Sequence, residues 1–192
     1  MTIHRTDGSG DTFIFTQYLS ASAPEWQKSL GYGTTISWPA APGAIGAVGN
    51  PGVVDALKNA SYSIGYVGIS FKAATESHSL GEAAQENRAG KFVLSTAETV
   101  KAAAAALSGK TPADESLSLI FAPGEKSYPI VNFEDAVVDA GAMGSEIRSF
   151  LPWTILPEHG AAPSFLDQVS FVALPASVVK LSQAQIDKIG KD

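Results

Sequence analysis

Short apolar runs alternate with turns rich in glycine and proline along this chain of 192 residues. Close to the start, the β-favouring residues 3–5 are followed by a polar turn at 7–10 and then by the apolar run 13–19. This order predicts a strand, a glycine-containing loop and a helix, with Ser9 as the residue that caps the helix. Asp11 falls in the first helical turn, where the helix dipole favours a negative charge.

The remainder of the first half predicts further helices and strands. Pro24 is suited to the first turn of a short helix. Asn50 marks the start of another helix, because Asn is a frequent cap and the proline that follows fits the first turn. The β-rich stretches predict strands at 34–38 and 62–70, and the aperiodic residues between them predict a loop at 39–50.

The second half continues the alternation of elements. The alanine-rich run predicts a helix at 97–107, and the spacing of apolar residues predicts helices at 145–155 and 177–189. Ser95 is the predicted cap of the first of these helices. Extended segments are predicted at 117–121, 130–133 and 171–174. Strands that alternate with helices are typical of an α/β fold, which is the fold class that the sequence predicts.

Composition limits the kinds of partner that this chain can have. With 45% hydrophobic and 17% charged residues, the chain can bury a core and does not have the composition of a disordered protein. The net charge of −6 means that it lacks the surplus of Lys and Arg that binds nucleic acid, so we expect no nucleic-acid partner. The absence of cysteine excludes disulfides, thiol nucleophiles and cysteine-ligated zinc.

The sequence carries no membrane or export signal of its own. No apolar run approaches the ~18 residues that span a bilayer, and the first residues lack the apolar segment of a signal peptide. If Met1 is the natural start, this indicates a cytoplasmic protein. If the chain is truncated there, it indicates nothing about location.

The strongest candidate for a binding site is the segment 5–12, which reads Arg-Thr-Asp-Gly-Ser-Gly-Asp-Thr. A dehydrated phosphate or sulfate needs many hydrogen-bond donors, and a glycine-containing loop that opens a helix points several backbone N–H groups at one spot. Arg5 adds a planar guanidinium that can hold two oxygens at once, and Asp7 can orient it through a salt link. The plainer interpretation is an ordinary turn capped by Ser9, with Arg5 on the surface.

Other motifs do not predict catalysis. Residues 108–111 have the composition of the end of a nucleotide P-loop, but they follow a predicted helix and not a strand. The sequence around Ser9 lacks the first glycine of a nucleophile elbow, because Asp7 stands there. The three histidines lack metal-ligand spacing and stand alone at His4, His78 and His159. The sequence therefore predicts no catalytic residue, no metal site and no cofactor.

Six segments together carry a resemblance to a known family. They are residues 5–20, 33–39, 49–50, 64–67, 128–130 and 173–179. In their order and approximate spacing they resemble PstS-type phosphate-binding proteins, the solute receptors of phosphate ABC importers. The likeness is greatest to mycobacterial and actinobacterial members. A single motif of this kind is weak, whereas six in register are specific.

The resemblance implies a fold as well as a function. The expected fold is α/β, of the type II periplasmic-binding-protein kind, with phosphate enclosed between two lobes. In this chain it is expected to be incomplete, with the first lobe largely missing. Residues 1–127 then correspond to the part of the second lobe that carries the phosphate loop, and residues 128–192 to a segment that returns to the first lobe.

The resemblance also implies a role for each residue of the loop. Arg5 contacts phosphate and Asp7 braces Arg5, while Ser9, Gly10 and the amide of Asp11 donate to phosphate oxygens. Many family members have a hydroxyl residue where Asp11 stands. The Asp11 side chain is therefore expected either to sense the proton of the ligand or simply to interact with the helix dipole.

Family members have a long additional N-terminal part, so this chain is expected to be a fragment, a truncated reading frame or one piece of a split receptor. The partners implied are inorganic phosphate, the membrane subunits of an ABC importer and, as a further option, a complementing N-terminal chain, in an extracytoplasmic location. Two other interpretations stay open. One is a surface antigen or interaction protein with a vestigial anion site, and the other is a small autonomous hydrolase-like domain that uses Ser9 and Arg5.

Overall fold

The structure is a computed structural model that describes residues 1–138 and 144–190. The chain forms two compact units, Met1–Ala84 and Gln85–Asp192. Their boundary lies upstream of position 127, where the resemblance placed the end of the second-lobe part, and the assignment of either part to a lobe stays a prediction. In neither described range is there a helix long and apolar enough to cross a membrane.

A three-stranded parallel sheet organises the first unit. Its strands are β1 (Thr2–Arg5), β2 (Ile45–Ala47) and β3 (Ile64–Gly65), in the order β2-β1-β3. Ile3 of the central strand lies opposite Ile45 on one side and Gly65 on the other. Because Ile3 is only 2% exposed, the central strand lies in the core of this unit.

Helices connect the strands, as parallel pairing requires. The helices of the first unit are α1 (Gly10–Ser22), α2 (Pro24–Ser29), α3 (Gly49–Asn59) and α4 (Lys72–Ser77), and a 3-10 turn at Ile69–Phe71 precedes the last of them. Ser9 caps α1 as predicted, since its hydroxyl oxygen accepts from the Thr12 N–H at 3.3 Å. Val53 and Val54 of α3 are buried where that helix packs against the strands.

The order of the strands determines where a ligand can bind. From β1 the chain moves outward to β2 and then crosses back over β1 to reach β3 on the opposite side. The central strand is therefore a topological switch point, and ligands of open α/β sheets bind just beyond the carboxyl ends of the strands at such a point. The segment that follows Arg5 is located there.

The second unit has a different construction, with a small hairpin and several helices. Its elements are β4 (Gln85–Glu86), β5 (Phe92–Val93), α5 (Ala97–Ser108), α6 (Gly144–Ile155), α7 (Pro163–Leu166), a 3-10 turn (Asp167–Val169) and α8 (Ala176–Ile186). Asn87 in the hairpin turn is 2% exposed, and its side-chain amide donates to the carbonyl oxygens of Gly124 and Glu125. A buried polar side chain satisfied in this way fixes the hairpin against the loop that follows α5.

The predicted helices are confirmed in position, with small shifts at their ends. Thr96, and not Ser95, is the cap of α5, because Thr96 and Thr99 form a reciprocal pair of hydrogen bonds between side chain and backbone. The last helix ends at Ile186 and continues as turns.

Two strand predictions and one loop prediction in the first unit are wrong in part or in whole. Segment 34–38 is not a strand, since the Thr34 carbonyl accepts from Ser9 N–H and the Trp38 N–H donates locally to Ile36. Segment 62–70 contains only the two-residue strand β3, because Tyr62 has a left-handed backbone (φ 58°) and is fully exposed. The predicted loop at 39–50 contains β2.

The two strands predicted at 117–121 and 130–133 are also absent. The segments do run beside each other, joined by a hydrogen bond from the Phe121 N–H to the Pro129 carbonyl at 2.9 Å. A ladder does not extend from it because Phe121 is left-handed (φ 56°) and Pro129 has no N–H to donate. Segment 171–174 likewise has no ladder.

Replacing Gly65 with alanine tests the close pairing of β3 with β1. A Cβ at this position would lie 3.0 Å from the Ile3 carbonyl oxygen and 3.3 Å from the Ile3 Cβ, so the strand must shift. We expect Gly65→Ala to reduce the free energy of unfolding by about 1–3 kcal/mol, measured by urea denaturation. Gly81→Ala is the matched control, because a Cβ there meets nothing within 4 Å. Equal stability of the two variants would show that β3 is not packed as described.

Candidate functional site

The segments that follow the three strands meet at one edge of the sheet. Asp7 follows β1, Gly49 and Asn50 follow β2, and Gly68 follows β3. The Gly49 N–H donates to Asp7 Oδ1 at 3.1 Å, and the Gly68 N–H donates to Asn50 Oδ1 at 3.4 Å. The parallel arrangement thus brings polar groups that are up to 61 positions apart in the sequence to one place.

The centre of this edge is an ion pair between Arg5 and Asp7. Arg5 Nε donates to Asp7 Oδ1 at 2.7 Å, and Nη2 donates to Oδ2 at 2.6 Å, so the pair is bidentate. The Arg5 side chain is 9% exposed, whereas Asp7 is 33% exposed. The predicted salt link that orients the guanidinium is therefore present in the structure.

The ion pair changes the pKa of both partners. The hydrogen bonds from Arg5, followed by the one from the Gly49 N–H, hold the pKa of the Asp7 carboxyl well below its usual range. The pKa of Arg5 is raised, chiefly by its hydrogen bonds to Asp7. Both groups are therefore charged at neutral pH.

The opposite corner of the guanidinium contacts two further side chains. Arg5 Nη1 donates to Asn50 Oδ1 at 3.2 Å and to Asp11 Oδ2 at 3.4 Å. Asn50 Nδ2 also donates to Asp11 Oδ2, at 2.9 Å. Arg5, Asn50 and Asp11 thus form a closed triangle of hydrogen bonds at the first turn of α1.

These contacts limit how Arg5 can hold an anion. A guanidinium has five N–H groups, and the contacts above direct Nε, one N–H of Nη2 and both of Nη1 to protein acceptors. The edge between Nε and Nη2 is covered by Asp7. An anion can therefore meet the guanidinium at the end formed by Nη1 and Nη2, and it must share Nη1 with Asp11.

The remaining loop residues predicted as donors are located around the start of α1. The Ser9 backbone N–H donates to the Thr34 carbonyl at 2.9 Å, so the hydroxyl is the group of Ser9 that is left to donate to a ligand. Gly10 and Asp11 are the first two residues of the helix, where backbone N–H groups have no acceptor within the helix. Arg5 Nη1 contacts the side chain of Asp11, so guanidinium and helix start are adjacent.

Tyr66 connects the central strand to α1. Its hydroxyl accepts from the Arg5 backbone N–H at 3.2 Å and lies 2.7 Å from Thr12 Oγ1. The ring stacks on Phe15 with a centroid distance of 4.6 Å. Tyr66 thereby fixes the distance between Arg5 and the first turn of the helix.

Sequence reasoning assigned no site role to Asn50 or Tyr66. The sequence predicts Asn50 as a helix start and Tyr66 as part of a buried strand, and both lie in segments that carry the family resemblance, but neither is predicted to contact the ligand. Both would have been found by placing Ile45–Ala47 in the sheet, because the residues after three parallel strands then fall at one edge. The segment around Ile45–Ala47 has no strand pattern in sequence, because it is rich in glycine and its apolar and polar residues do not alternate.

A cavity of about 240 Å³ borders Arg5 on the same unit. Its lining consists of His4, Arg5, Thr6, Thr35, Ile36 and Trp38. The His4 ring lies against Trp38 at 5.1 Å, and burial lowers the pKa of His4. Of the residues predicted to bind phosphate, Arg5 is the one that contributes to this cavity. In the described ranges, no group of three or more potential ligands could hold a metal ion.

Comparison with known proteins identifies the family. Residues 2–158 match the PBP superfamily domain. The chain belongs to the PBP superfamily. The chain is also similar to a solved structure of a high-affinity periplasmic phosphate-binding protein, PfluDING, bound with phosphate. The TM-score of this match is 0.69 and the sequence identity is 20%. That match covers 100% of this chain and 63% of the other, and it confirms the predicted α/β fold of the type II kind.

Several relatives of this PBP-superfamily chain are named phosphate-binding protein PstS. Identity is 34% with the Methanocaldococcus jannaschii relative, 32% with that of Pasteurella multocida and 33% with that of Xylella fastidiosa. The matches cover 98%, 96% and 95% of this chain but 51%, 52% and 48% of the relatives. The chain thus spans about half the length of these relatives. They are archaeal and proteobacterial, so the greater likeness to actinobacterial members stays a prediction.

Replacing Asp7 with asparagine tests the ion pair through its pH dependence. The pKa of folded Asp7 is lowered from an ordinary value of 3.8, so its charge stabilises the fold at neutral pH, and this stabilisation is lost as the pH falls below about 4. We expect Asp7→Asn to unfold at lower urea concentration than the unmodified chain at pH 7, with a difference that narrows in acid.

The control for this experiment is Asp55→Asn, which removes an exposed ion pair with Lys58. Exposed pairs contribute little to stability, so we expect a small effect at every pH. If the Asp7→Asn difference stayed constant from pH 7 to pH 3, the ion pair would not have the strength described.

Proposed function

We propose that this chain is the phosphate-contacting part of a PstS-type solute receptor, with Arg5, Asp7, Ser9, Gly10 and Asp11 at the ligand site. The observation that carries the proposal is the position of the guanidinium. Asp7 holds it through two hydrogen bonds, and its Nη1 corner lies at the first turn of α1. The relatives of which this chain spans about half are named phosphate-binding proteins, which supports phosphate as the ligand.

This arrangement suits phosphate in particular. Hydrogen bonds from a guanidinium and from helix-terminal amides to an anion are charge-assisted and strong. The carboxylates of Asp7 and Asp11 lie on either side of Arg5. They repel a fully ionised sulfate, whereas phosphate carries a proton that it can donate to a carboxylate. Asp11 is the better placed acceptor, because both oxygens of Asp7 accept from Arg5 or Gly49, whereas the bonds from Arg5 and Asn50 to Asp11 both go to Oδ2.

A binding role fits the local chemistry better than hydrolysis. The Ser9 hydroxyl oxygen accepts from the Thr12 N–H, as a helix cap does. The His4 ring packs against Trp38. Ser9 and His4 thus each have a contact that serves the fold, and we propose a receptor and not an enzyme.

The proposed partners follow from the length of the relatives. Because the chain spans about half of them, a second polypeptide or a further part of the same protein is proposed to supply the other donors around phosphate. The membrane subunits of an ABC importer are the proposed recipients, at an extracytoplasmic location. The lobe boundary after residue 127 belongs to the same proposal.

Titration calorimetry with inorganic phosphate tests whether this chain alone has only part of the donors that surround phosphate. Each absent charge-assisted hydrogen bond weakens binding by about 1.5–3 kcal/mol. We therefore expect the 192-residue chain alone to bind phosphate more weakly than micromolar, too weakly for calorimetry to measure but still detectable by NMR at high phosphate concentration. A micromolar or tighter dissociation constant would contradict this expectation.

Supplying the remaining donors tests the ligand assignment itself. The chain is joined to the part of the Methanocaldococcus jannaschii relative that precedes the matched region, and phosphate binding is measured by calorimetry. We expect Arg5→Gln to weaken phosphate binding at least about a hundredfold, the effect of losing two charge-assisted bonds. Arg88→Gln, at an exposed arginine of the second unit, is the control. Binding that does not depend on Arg5 would refute the proposed site.

A further inference from the structure

The side chain of Asn50 forms hydrogen bonds with residues at or after the ends of the other two strands. It lies in the first turn of α3, after β2. Its Oδ1 accepts from Nη1 of Arg5, the last residue of β1, and from the N–H of Gly68, which follows β3. Its Nδ2 donates to Asp11 at the start of α1. One amide therefore bonds to all the segments that form the edge of the sheet.

The geometry around Gly68 shows how closely this amide is held. A Cβ on Gly68 would lie 3.1 Å from Asn50 Nδ2 and 3.0 Å from Asp11 Oδ1. The backbone of Gly68 thus packs directly against both side chains, which limits the positions that they can take. Asn50 and Asp11 are positioned by packing as well as by their mutual hydrogen bond.

Two donors compete for Asp11 Oδ2. The bond from Asn50 Nδ2 is 2.9 Å long, and the bond from Arg5 Nη1 is 3.4 Å long. The Asn50 bond has the normal length of an N–H···O hydrogen bond, whereas the Arg5 bond is longer than that range, so the Arg5 contact is the one whose geometry is less favourable. An anion oxygen that approaches Nη1 can therefore replace Asp11 at Arg5 while Asp11 keeps its bond to Asn50.

We propose that Asn50 is a positioning residue of the anion site, which holds the Asp11 carboxylate beside Arg5 Nη1 and keeps it there when phosphate takes that N–H. The role needs an amide, because one atom must accept from Arg5 and the other must donate to Asp11. A carboxylate at position 50 would repel Asp11, and an apolar side chain would satisfy neither group. The inference rests on the proposed function, since it names a residue that positions the groups of that same site.

A double-mutant cycle on the 192-residue chain tests the proposal. Asn50→Asp and Asp11→Asn are made singly and together, and affinity for inorganic phosphate is measured from the NMR signal of Arg5 Nε–H. In the double variant the hydrogen bond is reversed, with Asn at 11 donating to Asp at 50. We expect it to bind phosphate at least about tenfold tighter than the two single effects combined predict. The effect that each charge change has by itself cancels in this comparison, and what remains is the coupling between positions 50 and 11.

The control pair changes the same charges without the contact. Asn59, at the far end of α3, donates to the Asp55 carbonyl. Asn59→Asp combined with Asp11→Asn is expected to be additive in phosphate affinity. One result would show that Asn50 only supports the fold. In that case the Asn50→Asp and Asp11→Asn effects would add in phosphate affinity but not in the free energy of unfolding.

The unmodified chain provides a second measurement that needs no stable variant. Phosphate titration should shift the NMR signals of Arg5 Nε–H and of the Asn50 side-chain amide with the same saturation curve. Movement of Arg5 with an unchanged Asn50 amide would overturn the positioning role and leave the proposed function standing. If high phosphate moved neither signal, the phosphate site itself would be refuted, and this inference with it.

Discussion

The bidentate ion pair between Arg5 and Asp7 is the interaction on which the rest of the site depends. It joins the last residue of the central strand to the loop that follows. By engaging Nε and Nη2, Asp7 fixes the plane of the guanidinium and directs its Nη1 corner toward α1. An arginine oriented in advance loses less conformational entropy when it binds an anion. The Gly49 N–H restrains Asp7 in turn, so the orientation is determined by β2 as well as β1.

Parallel strand topology explains why these residues come together. The polar residues of the site follow the carboxyl ends of β1, β2 and β3, and the central strand is the switch point. Asn50 and Tyr66 connect the strand ends to one another and to the first turn of α1. The site is therefore carried by regular elements of one compact unit, which keeps its donors in a fixed arrangement.

The helices and the phosphate loop could be predicted from sequence because their signals are local. Ser9 as a cap and Pro24 in a first turn depend only on neighbouring residues. The short strands could not be placed in this way, since Ile45–Ala47 becomes a strand only by pairing with β1. Likewise, the left-handed backbone of Phe121 that prevents a longer ladder has no sequence signal. The contacts of Asn50 could not be predicted, because they are made with residues distant in the chain.

The central claim is that Arg5, held by Asp7, presents its Nη1 and Nη2 end to phosphate at the start of α1. A crystal structure of the chain grown with inorganic phosphate tests this most directly. The account predicts a phosphate oxygen within hydrogen-bond distance of Arg5 Nη1 or Nη2 and of the Gly10 or Asp11 amide, with Asp7 still bonded to Nε. Phosphate bound at another place, or Asp7 displaced from Arg5 by the ligand, would contradict it.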